Sequence, residues 1–348
     1  MRPAAGSPIT GSMAIDWTLV LVPVAVLLGT LRLTSALRSW LGARDILDRP
    51  VERSSHRRPV PRGGGLAVIG VLLAGWLAIA IAHPAPTRTL VVIAAAAGLA
   101  LISWRDDLQS LGPGIRLAAH VAAAAVGVAF LPAGTLVFQG WLPPLLDRAA
   151  AALLWVWFIN LYNFMDGIDG ITATETICLG LGVALVLRVS AITDGGAGAL
   201  ALAAAAAGLG FLRWNWHPAK IFLGDVGSVP LGYLLGWLLL GLSARGLWAP
   251  ALILPLYYLA DATLTLIWRL RRRQRIWEAH REHFYQRAIA PDGDHAAVVR
   301  LVAAGDVALL ALAMIAVFHP LPALFLAVIA TAVLLWVLDR RSRAAPLR

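Results

Sequence analysis

Apolar residues run along this chain in eleven blocks, at roughly 13–31, 64–83, 88–104, 116–132, 146–163, 171–190, 197–212, 228–243, 247–268, 299–317 and 321–338. A bilayer core of roughly 30 Å takes about 20 helical residues, so each block predicts a membrane-spanning helix. Blocks three, four, seven and eight hold only 16–17 residues, which leaves their ends the softest. The first block lacks a small-residue cleavage site and more spans follow, so it is expected to stay as a helix. No repeat at a fixed period is visible, which weighs against the repeat-built transporters. No polar segment is long enough to fold alone. The expected fold is all-α and polytopic, with about eleven transmembrane helices in a single domain over 1–348.

Composition agrees with that reading. The chain is 59% hydrophobic and 14% charged, whereas soluble domains run near 45–50% and about 25%, so it cannot cover a water-facing surface. A lone cysteine, Cys178, excludes a disulfide scaffold. Net charge is +10, carried by Lys220 and 28 arginines. The basic residues sit between apolar blocks and not on a soluble face with base-reading groups, so nucleic acid is not an expected partner. Their placement orients the chain. With the N-terminus outside, the cytoplasmic segments are 32–63, 105–115, 164–170, 213–227, 269–298 and 339–348. Counting Arg116 and Arg300 at span ends, that side holds 24 of the 29 basic residues, leaving Arg2, Arg88, Arg148, Arg188 and Arg245 outside.

The same face collects Asp106, Asp107, Asp166, Asp169 and Asp225, each beside a hydrophobic helix end. Carboxylates so close to hydrocarbon are costly unless paired or metal-bound. One such acid would read as a solvated loop residue; five at one face predict a shared site. Asn163, Asp166 and Asp169 are spaced by three, which would align them if the helix continued through the turn, and Gly167 and Gly170 would let a ligand approach. Asp225 stands between two glycines at a helix start, where backbone N–H groups can meet phosphate while the carboxylate holds Mg²⁺. Gly63-Gly64-Gly65 is no P-loop, because the following Gly-Lys-Ser/Thr is missing. The 269–298 segment carries an arginine run, Arg271–Arg275, that reads first as a contact with anionic lipid. Its second part places His280, His283 and Arg287 at helical spacing, as donors for phosphate and sugar hydroxyls; zinc is disfavoured because no thiol and no third ligand beyond His295 joins them. A secondary transporter is the rival class, with Asp261 inside the ninth span as its one midplane carboxylate.

Together these segments resemble the polyprenyl-phosphate N-acetylhexosamine-1-phosphate transferases, glycosyltransferase family 4. The matching pieces are Arg53–His56 with Pro61–Gly65, Asp106-Asp107-Leu108, Asn163–Gly170, Asn215-Trp216-x-Pro218-Ala219-Lys220, Phe222–Ser228 and His280–Arg287, in the family's order. The resemblance implies transfer of a sugar 1-phosphate from a UDP-N-acetyl sugar to polyprenyl phosphate, releasing UMP, at the cytoplasmic face of a bacterial inner membrane. It implies Mg²⁺, with Mn²⁺ as a substitute, held by Asn163 and Asp225 with Asp166 close by. It implies catalytic roles for Asp106, Asp107 and Asp166, and substrate contacts from Arg116, Asp169, Asn215, His280, Arg281, His283, Gln286 and Arg287, with Asp169 reading uracil. Partners are the two substrates and the bilayer, and a homodimer is compatible. The translocase branch of the family carries adjacent histidines in its last large loop; the spaced His280 and His283 look more like the branch that initiates O-antigen and other surface polysaccharides.

Overall fold

The apolar blocks form helices that extend past the ends of their hydrophobic windows. The structure, a computed structural model, describes residues 17–50, 58–83, 86–132, 134–192, 196–275, 280–289 and 293–343. In chain order these hold α1 (Leu21–Ala43), a two-stranded ribbon of β1 (Leu47–Asp48) and β2 (Val60–Pro61), α2 (Gly65–Ala82), α3 (Pro86–Gln109), α4 (Pro113–Ala129), α5 (Pro144–Phe164), α6 (Ile171–Ser190) and α7 (Ala197–Asn215). There follow α8 (Asp225–Ser243), α9 (Trp248–Ile253), α10 (Leu256–Arg271), α11 (Phe284–Ala288), α12 (His295–Ala316) and α13 (Pro320–Arg343). Arg53–His56, Arg2 and Arg348 lie outside the described residues.

This is a polytopic all-α membrane protein. Nine helices among the described residues are long and apolar enough to cross a bilayer, and α4, at 17 residues, is a shorter tenth. The expected ninth span, 247–268, is divided into α9 and α10. Pro255 lies at the break; it has no N–H to donate, and its ring excludes the carbonyl four residues back.

Helix α8 runs through the centre and is buried from Val226 to Ser243 apart from the half-buried Trp237, Leu240 and Gly241. Indole N–H groups tie its neighbours together across the bundle. Trp155 stacks on Tyr233 at 4.5 Å while its Nε1 donates to the Tyr233 carbonyl at 3.0 Å. Trp76 donates to Leu200 O and Trp214 to Leu31 O, at 3.0 and 2.9 Å. In an apolar core each such bond satisfies a carbonyl at the cost of no buried charge.

The helix extensions shift the acids relative to expectation. Helix α3 continues beyond residue 104, so Asp106 and Asp107 stand on its last turn and not in a loop. Asp225 is the first residue of α8. Helix α5 stops at Phe164, so Asn163, Asp166 and Asp169 do not share a helical face. Within the described residues 280–289 only Phe284–Ala288 is helical, and His280, His283 and Arg287 therefore form no helical row either.

Candidate active site

The acids meet where the end of α3 touches the start of α8. Both oxygens of Asp107 accept from backbone amides there, Oδ1 from Asp225 N at 3.1 Å and Oδ2 from Val226 N at 3.0 Å. A carboxylate on the first free N–H groups of a helix satisfies orphan donors and meets the positive end of the dipole. Gly224 makes this possible: its φ is +76°, and a Cβ there would lie 2.8 Å from Asp107 Oδ2.

Two arginines bind this cluster. Arg62 Nη2 lies 2.7 Å from Asp107 Oδ1 and 3.1 Å from Asp225 Oδ1. Burial alone would lower the Arg62 pKa, but Asp107 and Asp225 offset it and hold the guanidinium above its ordinary value. Arg62 is delivered by the segment after β2, whose backbone docks beside residues 221–223: Phe222 N donates to Pro61 O, and Gly64 N and Gly65 N donate to Phe222 O and Leu223 O, all at 2.8 Å. The glycine-rich segment thus uses its N–H groups within the fold. Arg116, in the first turn of α4, reaches Asp106 Oδ2 at 3.2 Å and Asp225 Oδ2 at 3.9 Å. Asp106 also accepts from Leu111 N, which ties the α3–α4 turn.

Asn163 comes to the same place from α5, donating to Ser228 Oγ at 2.9 Å. Asp166 follows in the turn. Burial pushes its carboxyl up to about 7, and the nearby Asp225 and Asp107 carboxylates push the same way. Burial is the chief cause of that rise, and a hydrogen bond with Thr172 and the Arg62 guanidinium oppose it. Asn163, Asp166 and Asp225 offer hard oxygen donors there, the chemistry a divalent cation such as Mg²⁺ selects, so the residues fit that group.

A groove of about 370 Å³ opens on this cluster. Its walls are apolar (Leu99, Ile102, Leu117, Val156, Trp157, Leu266), and Asp106, Arg116, Asn163 and Asp225 line it as well.

Asp169 belongs to a second cluster. His217 Nδ1 lies 2.7 Å from its Oδ2, Ala219 N donates to the same oxygen at 3.0 Å, and His295 Nδ1 is 3.4 Å away. Burial would raise this carboxyl, but the bonds from His295, Ala219 and His217 offset it and hold it below the ordinary carboxylate range. Among the described residues, Asp169, His217 and His295 form the one group of three acid and histidine ligands whose atoms lie within 4.8 Å of one another. Asn215, expected to touch substrate, is buried and stitches loops: its Oδ1 accepts from Gly170 N at 2.9 Å and its Nδ2 donates to Ile221 O at 3.0 Å.

The 280–289 segment is anchored by Asp261. This buried carboxylate accepts from Phe284 N at 3.0 Å and Tyr285 N at 3.2 Å and lies 3.1 Å from His283 Nδ1. His283 is thus a buried partner of Asp261. The acid that suggested a transporter instead caps a short helix beside the site. Tyr285 then donates to Phe164 O at 3.2 Å, and a Cβ on Gly167 would overlap Tyr285 Oη and lie 2.6 Å from Gln286 Nε2. Gly167 therefore admits the neighbouring segment of the chain. Gln286 Oε1 is buried with no hydrogen-bond partner. His280 is half-buried, its imidazole pushed down to about 4 by burial, with His283 and Arg269 adding. Exposed Arg281 follows it in this turn. Arg287 is not brought to the acids: its Nη1 lies 3.1 Å from Asp339 on α13.

Sequence reasoning gave no role to Arg62 or His217, and weighed His295 only as a third zinc ligand. Arg62 and His217 stood inside matched segments, Pro61–Gly65 and Asn215–Lys220, which was the signal available.

Residues 89–243 match the family described as glycosyl transferase family 4. A probable undecaprenyl-phosphate N-acetylglucosaminyl 1-phosphate transferase of Bacillus subtilis is 30% identical over 263 residues, covering 70% of this chain and 70% of that protein. A decaprenyl-phosphate N-acetylglucosaminephosphotransferase of Mycolicibacterium smegmatis is 34% identical over 209 residues, 54% of this chain and 51% of its own length. A phospho-N-acetylmuramoyl-pentapeptide-transferase of Moorella thermoacetica is 32% identical over 201 residues, 51% of this chain and 59% of its own. The match thus spans about half of the mycobacterial relative.

Proposed function

The chain belongs to glycosyl transferase family 4, and from that premise we propose that it transfers an N-acetylhexosamine 1-phosphate from a UDP-sugar to polyprenyl phosphate. An oxygen of the lipid phosphate forms a bond to the β-phosphorus. The bond from that phosphorus to the bridging oxygen breaks, and UMP leaves. The observation that carries this reading is the apolar groove lined also by Asp106, Arg116, Asn163 and Asp225. An isoprenoid chain needs the apolar walls, and its phosphate needs the cationic and metal-binding end.

Two anions must come together, so the main task is positioning and charge screening. Arg116 meets the acceptor phosphate at the groove, and Asp106 fixes Arg116 there. Arg62 holds Asp107 and Asp225 in place. Asn163 and Asp225, with Asp166 beside them, would hold Mg²⁺, which when bound neutralises pyrophosphate oxygens. Asp107 has both oxygens committed to backbone amides and Asp106 is committed to Arg116 and Leu111 N. Those commitments suit positioning better than proton abstraction, and a phosphate oxygen is already ionised at neutral pH. Asp169 with His217 forms the subsite for the nucleobase edge, and Asn215 fixes the Gly170 backbone beneath it. Gln286 and His280 serve the sugar diphosphate from the other side. The bias of basic residues supports a cytoplasmic-face site, and the family resemblance favours a bacterial inner membrane. The spaced His280 and His283 favour a surface-polysaccharide donor over a muramoyl-pentapeptide.

The test is UMP release by the purified protein in lipid nanodiscs, with polyprenyl phosphate, Mg²⁺ and a panel of UDP-sugars. Release that needs both the lipid phosphate and a UDP-N-acetylhexosamine supports the reading. Turnover independent of lipid phosphate, or transport of solute without UMP, overturns it.

A further inference from the structure

A second cavity, about 530 Å³, lies between α10, α11 and α13, and shares no lining residue with the groove above. Arg271, Arg272, Arg287 and Arg343 line it, against the single carboxylate of Asp339. Asp339 is taken up by Arg287 at 3.1 Å and Arg343 at 2.7 Å, and Arg272 makes only a long contact, 3.4 Å, with Glu282. Arg287 keeps its Nε and Nη2 without a hydrogen-bond partner. Cationic charge is therefore in excess, in the fork geometry that grips phosphate bidentately.

What surrounds the cavity says which phosphate. Trp268 and Trp336 line it, Arg287 sits over Trp268 at 5.9 Å, and Arg340 sits over Trp336 at 5.2 Å. Tryptophan with arginine at the end of a span is the signature of the headgroup layer. From this cavity an apolar row runs back along α13: Trp336, Val333, Ile329 and Phe325 are all exposed, and their spacing of three and four residues puts them on one helical face. Eleven residues at 1.5 Å each make that row about 16 Å long, the scale of one leaflet of a core roughly 30 Å thick. A soluble anion has no use for such a row; an acyl chain does.

We propose that this cavity is a binding site for an anionic phospholipid, its headgroup phosphate among Arg271, Arg272, Arg287 and Arg343 and one acyl chain along the α13 row. The site is separate from the acceptor-lipid groove, and its reading does not depend on the reaction proposed above.

The experiment is native mass spectrometry of the full chain released from micelles holding equimolar phosphatidylglycerol and phosphatidylcholine. The protein should retain phosphatidylglycerol in preference. In Arg271→Gln/Arg343→Gln, both changes lying on exposed side chains, that preference should fall roughly tenfold or more, since each basic residue near a lipid surface contributes about 1 kcal/mol. Arg188→Gln, an exposed change on the opposite side, should keep it. An unchanged preference in the double variant overturns the proposal, as does an equal fall in Arg188→Gln. Displacement of the retained lipid by millimolar inorganic phosphate or glycerol 3-phosphate also overturns it, by making the cavity a soluble-anion site. A thermal melt with the lipid added separates loss of binding from loss of fold: a double variant that melts like the wild type without lipid and gains less from phosphatidylglycerol supports the site.

Discussion

Asp107 caps the helix that presents Asp225. Its two oxygens accept from the N–H of Asp225 and Val226 at 3.1 and 3.0 Å, and Arg62 bridges the two carboxylates at 2.7 and 3.1 Å. One acid therefore builds the site and the other faces the groove. Asp107 is almost wholly covered, whereas a fifth of the Asp225 side chain is exposed.

That division predicts different mutant signatures. Asp107→Asn replaces one acceptor oxygen with a donor against a helix N-terminus and weakens the hold on Arg62. It should lower stability by about 1–2 kcal/mol, the range for a lost cap, and lower kcat as well. Asp225→Asn should leave the melting temperature unchanged or raised, because it relieves carboxylate crowding, while removing most UMP release at any Mg²⁺ concentration. Melting curves beside turnover decide it; equal destabilisation by both variants would show that neither acid is free for substrate.

The groove gives a second prediction. Ala119 is half-buried in its wall, and Ala119→Phe would fill part of the 370 Å³. The KM for long-chain polyprenyl phosphate should rise about tenfold or more, since a misfit of even one methylene in an apolar pocket is worth about 10–200-fold, with the UDP-sugar KM little changed. An acceptor with a short prenyl chain should lose less. Equal losses for both acceptor lengths would move the lipid chain elsewhere.

How much of this was legible in the sequence depends on the kind of signal. Transmembrane helices are written locally, by hydrophobic runs, so nine of them could be placed, and the 171–190 span coincides with α6. The division of the ninth span at Pro255 was missed because apolar content stays high across the break. The acids were found because charge beside hydrocarbon stands out. Their relative geometry was not, because it is set by partners 118 and 163 positions apart, Asp107 with Asp225 N and Arg62 with Asp225. A single arginine or histidine has no periodicity to reveal it, which is why the contacts of Arg62, His217 and His295 escaped. The helical row of His280, His283 and Arg287 failed for a physical reason: Asp261 captures His283 and the amides of Phe284 and Tyr285, so the helix starts only there.

Asp261 should accordingly act through the segment it anchors. Asp261→Asn keeps the volume but removes the charge that the two amides and His283 surround. Proteolysis between residues 272 and 283 should become faster, and the UDP-sugar KM should rise while the polyprenyl-phosphate KM stays. If lipid KM changes instead, the 280–289 segment serves the acceptor and not the donor.

The last prediction joins pH to the second cluster. Asp169 is held below its ordinary pKa because His295, Ala219 N and His217 stabilise the carboxylate more than burial penalises it. A folded-state pKa below the unfolded one, about 3.9, means the unfolded chain binds the proton more readily. The contribution is therefore fully present above about pH 5 and is lost as pH falls through the unfolded and then the depressed folded value. Asp169→Asn has no such charge. It should melt below the wild type at pH 7, with the gap narrowing as the pH falls below 4, and it should raise the UDP-sugar KM without touching the lipid KM. A gap that stays constant from pH 7 to pH 3.5 would mean that shape, and not charge, is what the two imidazoles and the Ala219 amide recognise in this side chain.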